Sequence, residues 1–249
     1  DWVNADKFYK DALEINTKAN NKYEIAEDLR NRGNLYLQKE DWDLCEKLTL
    51  QALVIAEEIS DLRNICHDSR VLGQIYAETK SRNKQEEYLK KALEVSEKLK
   101  DEVEQRIDHR SLGELCLSRG YKERSANHFK AALAISTKQA DKKEISTDYR
   151  HMGNLSFNNG SRDEAEKYYL DALNLALEVG DDNGAAQDYT YIGNLKFKSG
   201  QMDEAEINFD KAVDYFKNAG NRPSLLQLFL TVARMELLVS RKEQSEKYL

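Results

Sequence analysis

Proline is nearly absent from this chain, with one in 249 residues, and glycine is sparse at eleven. With so few breakers and 33% charged residues, the composition suits long, surface-exposed helices. Cysteine is scarce as well. Cys45, Cys66 and Cys116 are odd in number and form no CxxC pair, which fits a reduced, cytoplasmic compartment. No apolar run approaches the roughly 18 residues that a bilayer span needs, and no signal-peptide pattern opens the chain, so membrane insertion is not expected. Basic residues are outnumbered, 38 against 45 acidic ones, for a net charge of -7. Nucleic acid, whose phosphates demand a basic surface, is therefore not an expected partner. Chemistry-bearing motifs are missing too. His67, His109, His128 and His151 show no metal-binding spacing, and neither a G-x-S-x-G element nor a phosphate-cradling loop occurs. No catalytic residue, metal or cofactor is expected.

What is present is a period. The 40% hydrophobic content is sufficient for a core, and mean hydropathy is -0.77. Gly33, Gly73, Gly113, Gly153 and Gly193 follow one another at steps of 40 residues. A second column holds Gly120, Gly160 and Gly200, and a third holds Gly180 and Gly220. Alanine keeps the same step from Ala12 to Ala212, and so does a capping column, Asn21, Asp61, Asp101, Asp141, Asp181 and Asn221. Asn and Asp suit a helix N-cap because their side-chain oxygen accepts from unpaired first-turn N–H groups. Glycine suits the residue just past a helix, where the backbone turns left-handed.

Each 40-residue unit thus reads as two helices of roughly 17 residues, about 25 Å long. First helices are expected to start near 21, 61, 101, 141, 181 and 221, and second helices near 42, 82, 122, 162 and 202. A lone second-type helix within 1–20 precedes the repeats 21–60, 61–100, 101–140, 141–180 and 181–220, and 221–249 forms an incomplete terminal repeat. Phe129, Tyr169 and Phe209 precede the alanine column by three, so each large and small pair shares one helix face and reads as core. Beginning at Asp1 and ending within a helical pattern, the chain reads as a piece of a longer protein with a single solenoid domain.

Segments such as Leu72-Gly73-Gln74-Ile75-Tyr76, and Asp163 to Tyr169 followed by Ala172-Leu173, resemble the tetratricopeptide repeat. The resemblance spans nearly the whole chain and is strongest over 141–220. It implies an all-α, right-handed solenoid of antiparallel helix pairs. The family's usual period is shorter and its closing proline is missing here. The longer period is similar to that of the Pins or LGN spindle adaptors, kinesin light chains, bacterial peptide-sensing regulators, and the sensor arms of signalling NTPases and caspase-like proteases.

In such families the first helices line a concave wall, which places two columns on it. The first holds Arg30, Arg70, Arg110, Arg150, Thr190 and Leu230. The second holds Asn34, Gln74, Glu114, Asn154, Asn194 and Arg234. Arginine pairs with carboxylates through a planar fork, and Asn and Gln bond a peptide backbone at both N–H and C=O. Those columns suggest capture of an extended, acidic peptide or partner segment. A parallel column, Asp28, Asp68, Asp108, Asp148 and Asp188, supports another reading, in which arginines and aspartates of adjacent repeats form structural ladders. Two further functions stay open: the ligand-sensing arm of a larger signalling NTPase, protease or transcription regulator, and a static scaffold. The nearly all-apolar helix 222–240 is expected either beneath further C-terminal helices or as an apolar end of the groove. Left uncapped, that end would favour self-association.

Overall fold

A computed structural model describes residues 2–246, with side chains through 237. The side chains of Leu238 and Val239, part of the apolar helix expected at 222–240, lie outside the described residues. Twelve α-helices and no strand occur among the residues described. The chain divides into two compact units, residues 1–121 and 122–249, with the boundary inside the repeat expected at 101–140.

The first unit comprises α1 (Trp2–Lys18), α2 (Lys22–Leu37), α3 (Trp42–Glu58), α4 (Leu62–Glu78), α5 (Arg82–Leu99) and α6 (Glu102–Ser118). The second comprises α7 (Lys122–Lys138), α8 (Lys142–Asn158), α9 (Arg162–Val179), α10 (Asp182–Lys198), α11 (Met202–Asn218) and α12 (Arg222–Glu246). Within each unit the helices pack as consecutive pairs, α2 on α3 and α4 on α5, then α8 on α9 and α10 on α11. This is the all-α, tetratricopeptide-like solenoid architecture.

The capping column sets where first helices begin. Asp61 Oδ1 accepts from the Asn64 N–H at 3.2 Å, Asp101 from Glu104 at 3.2 Å and Asp181 from Gly184 at 3.1 Å. Asp41 caps α3 in the same way, although the column read from the sequence does not include it. Helix ends obey a stricter rule than the glycines alone suggest. A residue with positive φ occurs at every twentieth position from Asn20 to Gly220. Glycine fills only the later ones, whereas Glu40, Lys80 and Ala140 adopt φ of 58°, 57° and 52° despite their side chains.

In the pairs α4–α5, α8–α9 and α10–α11, the glycine column gives way to a large side chain from the second helix, Leu89, Tyr169 and Phe209. A Cβ on Gly153 would stand 2.5 Å from Tyr169 Cε1, and one on Gly193 would stand 2.6 Å from Phe209 Cε1. Ala52, Ala92, Ala132, Ala172 and Ala212 are fully enclosed. Large rings thus enter where neighbouring positions are small, and the helices approach closely because glycine has no Cβ.

Left-handed backbone costs an L-residue roughly 1–2 kcal/mol, a cost glycine escapes. Part of the gain is lost to glycine's greater freedom in the unfolded chain. Ala140→Gly is therefore expected to raise unfolding free energy by about 0.5–1 kcal/mol, measured by chemical denaturation.

Candidate ligand-binding groove

Aspartates of the first-helix column are enclosed, and enclosure fixes the role of the arginines beside them. Asp68, Asp108 and Asp188 each show 0% exposure. A carboxylate held away from water needs a cation and further hydrogen bonds. Asp68 receives both from the preceding first helix: Arg30 Nε donates to Oδ1 at 2.7 Å and Nη2 to Oδ2 at 3.0 Å. The remaining Arg30 nitrogen, Nη1, donates to Glu27 Oε1 at 2.6 Å. Arg150 repeats the geometry on Asp188, at 2.6 and 3.0 Å, and its Nη2 also reaches the Gly184 carbonyl at 3.3 Å. Arg70 Nε donates to Asp108 Oδ1 at 2.9 Å, and its Nη2 meets Glu104 Oε2 at 2.5 Å.

Arg30, Arg70 and Arg150 thus bridge successive first helices, residue i to i+38. Arg30 and Arg150, expected as ligand anchors, are buried with their forks occupied by the neighbouring repeat. Bidentate geometry explains this, because the planar fork matches an enclosed carboxylate two bonds at a time. Arg70 differs, since its side chain stays 22% exposed while pairing. Burial raises the pKa of Asp68, Asp108 and Asp188, with the facing arginine pulling each back in part. Asp188 is pushed up to about 6. Asp108 also accepts from Ser96 Oγ at 2.8 Å, whereas Asp188 stands opposite Ala176 in the corresponding place.

In the first unit, α2, α4 and α6 present a concave face that encloses about 810 Å³. Asn34, Arg70, Gln74 and Glu114, four of the residues expected from the sequence, come together on it. His67, Lys80, Arg82, Gln85, Ser111 and Ser118 add to the polar wall, with apolar side chains such as Leu37, Val71 and Leu115 between them. Lys80 and Arg82 were missed because attention to first helices leaves out the turn and the start of α5. The twenty-residue spacing of helix ends, which puts Lys80 at the turn and Arg82 at the start of α5, would have been the signal. Arg70 is paired with Asp108 and Glu104, and the exposed cations Lys80 and Arg82 make the groove edge basic beside Glu114 in a chain of net charge -7.

The second unit holds Asn154, Thr190 and Asn194, but in more committed settings. Asn154 Oδ1 accepts from the Tyr169 hydroxyl at 2.7 Å, and the Thr190 hydroxyl donates to the Ala186 carbonyl at 2.8 Å. Asn194 occupies the place of Asn154 one repeat on, and its Oδ1 is buried without a partner. The reason is a single atom, because Phe209 stands where Tyr169 stood and brings no hydroxyl. Nucleophilic chemistry finds no support here. Burial, with Asp108 alongside, pushes the Cys66 thiol up to about 12, so it stays protonated. Among the described residues no cluster of His, Cys, Asp or Glu could hold a metal ion, and no helix is long and apolar enough to cross a membrane.

Family models for the tetratricopeptide repeat match residues 144–214 and 71–99. These segments are tetratricopeptide repeats, and the structural neighbours carry the same kind of fold. BtubC (BKLC) from P. vanneervenii superposes with a TM-score of 0.73 at 17% identity, covering 89% of this chain and 92% of that one. A Rap protein complexed with Competence and Sporulation Factor gives 0.67 at 16% identity, covering 91% of this chain and 68% of that one. The signal transduction ATPase PH0952 from Pyrococcus horikoshii, which carries a tetratricopeptide repeat sensor, gives 0.68 at 18% identity. There the match covers 83% of this chain and 32% of that one. No protein with a curated description matches the sequence.

Two outcomes are expected. Asp68→Ala leaves the buried Arg30 with only the partly exposed Glu27 as counter-charge and should cost about 3 kcal/mol in a denaturation experiment, whereas Arg30→Met with Asp68→Leu should recover most of that loss. Phe209→Tyr places a hydroxyl where Tyr169 carries one and should stabilise the chain by about 1 kcal/mol by satisfying Asn194. A melting curve shifted upward would register it.

Proposed function

We propose that the chain is a non-catalytic interaction module whose first-unit groove captures an extended, acidic peptide or partner segment. The observation that carries this reading is the groove wall itself. Gln74, Asn34 and Glu114 come from three successive first helices and supply a line of amide and carboxylate groups suited to an extended backbone. Arg70, Lys80 and Arg82 supply cations along the same line. Affinity would come from backbone hydrogen bonds, and selectivity from carboxylates against that basic edge.

Arg30, through Asp68, and Arg70, through Asp108, also serve the reading indirectly, by fixing the spacing of the α2, α4 and α6 helices that carry the wall. The Rap protein's complex with Competence and Sporulation Factor supports it by fold analogy alone. The sensor of the P. horikoshii ATPase favours a second reading on the same terms. In that one the groove is the input of a larger signalling protein. Cys45, Cys66 and Cys116, buried and outside any disulfide, support a reducing, cytoplasmic setting.

Selection from a random peptide-display library tests the proposal. Selected peptides should be rich in Asp and Glu and should bind less tightly as salt rises. Lys80→Glu with Arg82→Glu should weaken them about 10-fold or more, and Gln74→Ala should weaken them in addition. Peptides without acidic residues, or with affinity unchanged in these exposed-site variants, would overturn the assignment.

A further inference from the structure

On the side turned away from the first helices, α1 and α5 carry charge where α3 is apolar. Leu50 stands where α1, α5 and α7 carry Lys10, Lys90 and Lys130, although α9 also has a leucine there, Leu170, and Val54 stands where α1 and α5 carry Glu14 and Glu94. Leu50 is half-buried against the edge of the core, whereas Val54 is 52% exposed and the core does not need it. Together with Leu13 and Thr17 of α1, Leu29 of α2 and Ile55, these side chains border a largely apolar groove of about 500 Å³ between α1 and α3. An apolar groove on a surface otherwise patterned for water marks an interaction site.

Charge along α3 identifies the occupant. Its outward stripe, at helical spacing, reads Lys47, Gln51, Val54, Glu58. Reversing the stripe about the midpoint between Ala52 and Leu53 superposes Lys47 on Glu58, Gln51 on Val54 and Leu50 on Ile55. A second α3 laid antiparallel would therefore set each lysine against a glutamate at both ends, with Leu50 facing Ile55 and Val54 facing Gln51 between them. Parallel packing would oppose like charges. Glu58 remains half exposed while accepting from Lys22 at 3.0 Å, so it is available to a second cation. Such self-complementarity under a two-fold operation is the requirement of an isologous interface.

We propose that this α1–α3 face is a homodimer interface, with α3 of one copy packed antiparallel on α3 of its twin. Two helices a side fall at or below about 1,200 Å² of total buried area, so the dimer is a transient one. The concave groove is formed by first helices and the start of α5, and it stays open in both copies.

Sedimentation equilibrium of the 249-residue chain, from about 1 µM to about 1 mM, tests it. Reversible dimerisation is expected. Val54→Glu, which copies Glu94 of the sister helix, should weaken it at least about 10-fold while leaving the circular dichroism spectrum and melting curve unchanged. Lys47→Glu should weaken it by a similar factor, and adding Glu58→Lys should restore it to within about 3-fold, because the swapped charges again meet opposite partners. A chain that stays monomeric over this range overturns the proposal. So does a dimer indifferent to Val54→Glu, or one that the charge swap fails to restore.

Discussion

A carboxylate with no access to water cannot remain charged unless a cation reaches it, and here the cation comes from the preceding repeat. Arg30 spans to Asp68 and Arg150 to Asp188, each with two bonds in the plane of the guanidinium. Those contacts tie one first helix to the next at a fixed distance and register. Glycine-to-ring packing does the corresponding work inside the pairs α8–α9 and α10–α11, where Gly153 admits Tyr169 and Gly193 admits Phe209. Repeat architectures are stabilised by such nearest-neighbour terms. Charge links the repeats, and shape joins the two helices of each.

This division separates what the arginine column does from what the groove offers. Enclosed arginines lack the freedom to meet a ligand, whereas Arg70 pairs with Asp108 and still faces the concavity. The amide of Gln74 and the cations of Lys80 and Arg82 are exposed beside it. A rigid wall carrying adaptable polar side chains lets an extended ligand be held without reorganising the scaffold. The outward face of α3 is separate from that wall, so self-association and ligand capture do not compete for the same residues.

Much of the fold was legible in the sequence because its determinants are local. An N-cap such as Asp61 acts on an N–H three residues away, and Gly160 turns the chain where it stands. Left-handed turns at Glu40, Lys80 and Ala140 were not legible, since nothing about those residue types advertises positive φ. Only the twenty-residue spacing could have placed them. The two readings of the arginine column could not be separated from one helix alone. Asp28 and Arg30 lie on different faces of α2, and the partner of Arg30 is 38 residues distant. Groove residues Asn34, Gln74 and Glu114 followed from the repeat register, while Lys80 and Arg82 depended on how α5 starts relative to α4.

A double-mutant cycle on Arg150 and Asp188, read by chemical denaturation, tests the inter-repeat pairing most directly. The account predicts that the two single alanine variants and the double variant are far from additive, with a coupling energy of at least about 1.5 kcal/mol. Additivity to within about 0.5 kcal/mol would contradict it, and would return the arginine column to the surface as a set of independent side chains.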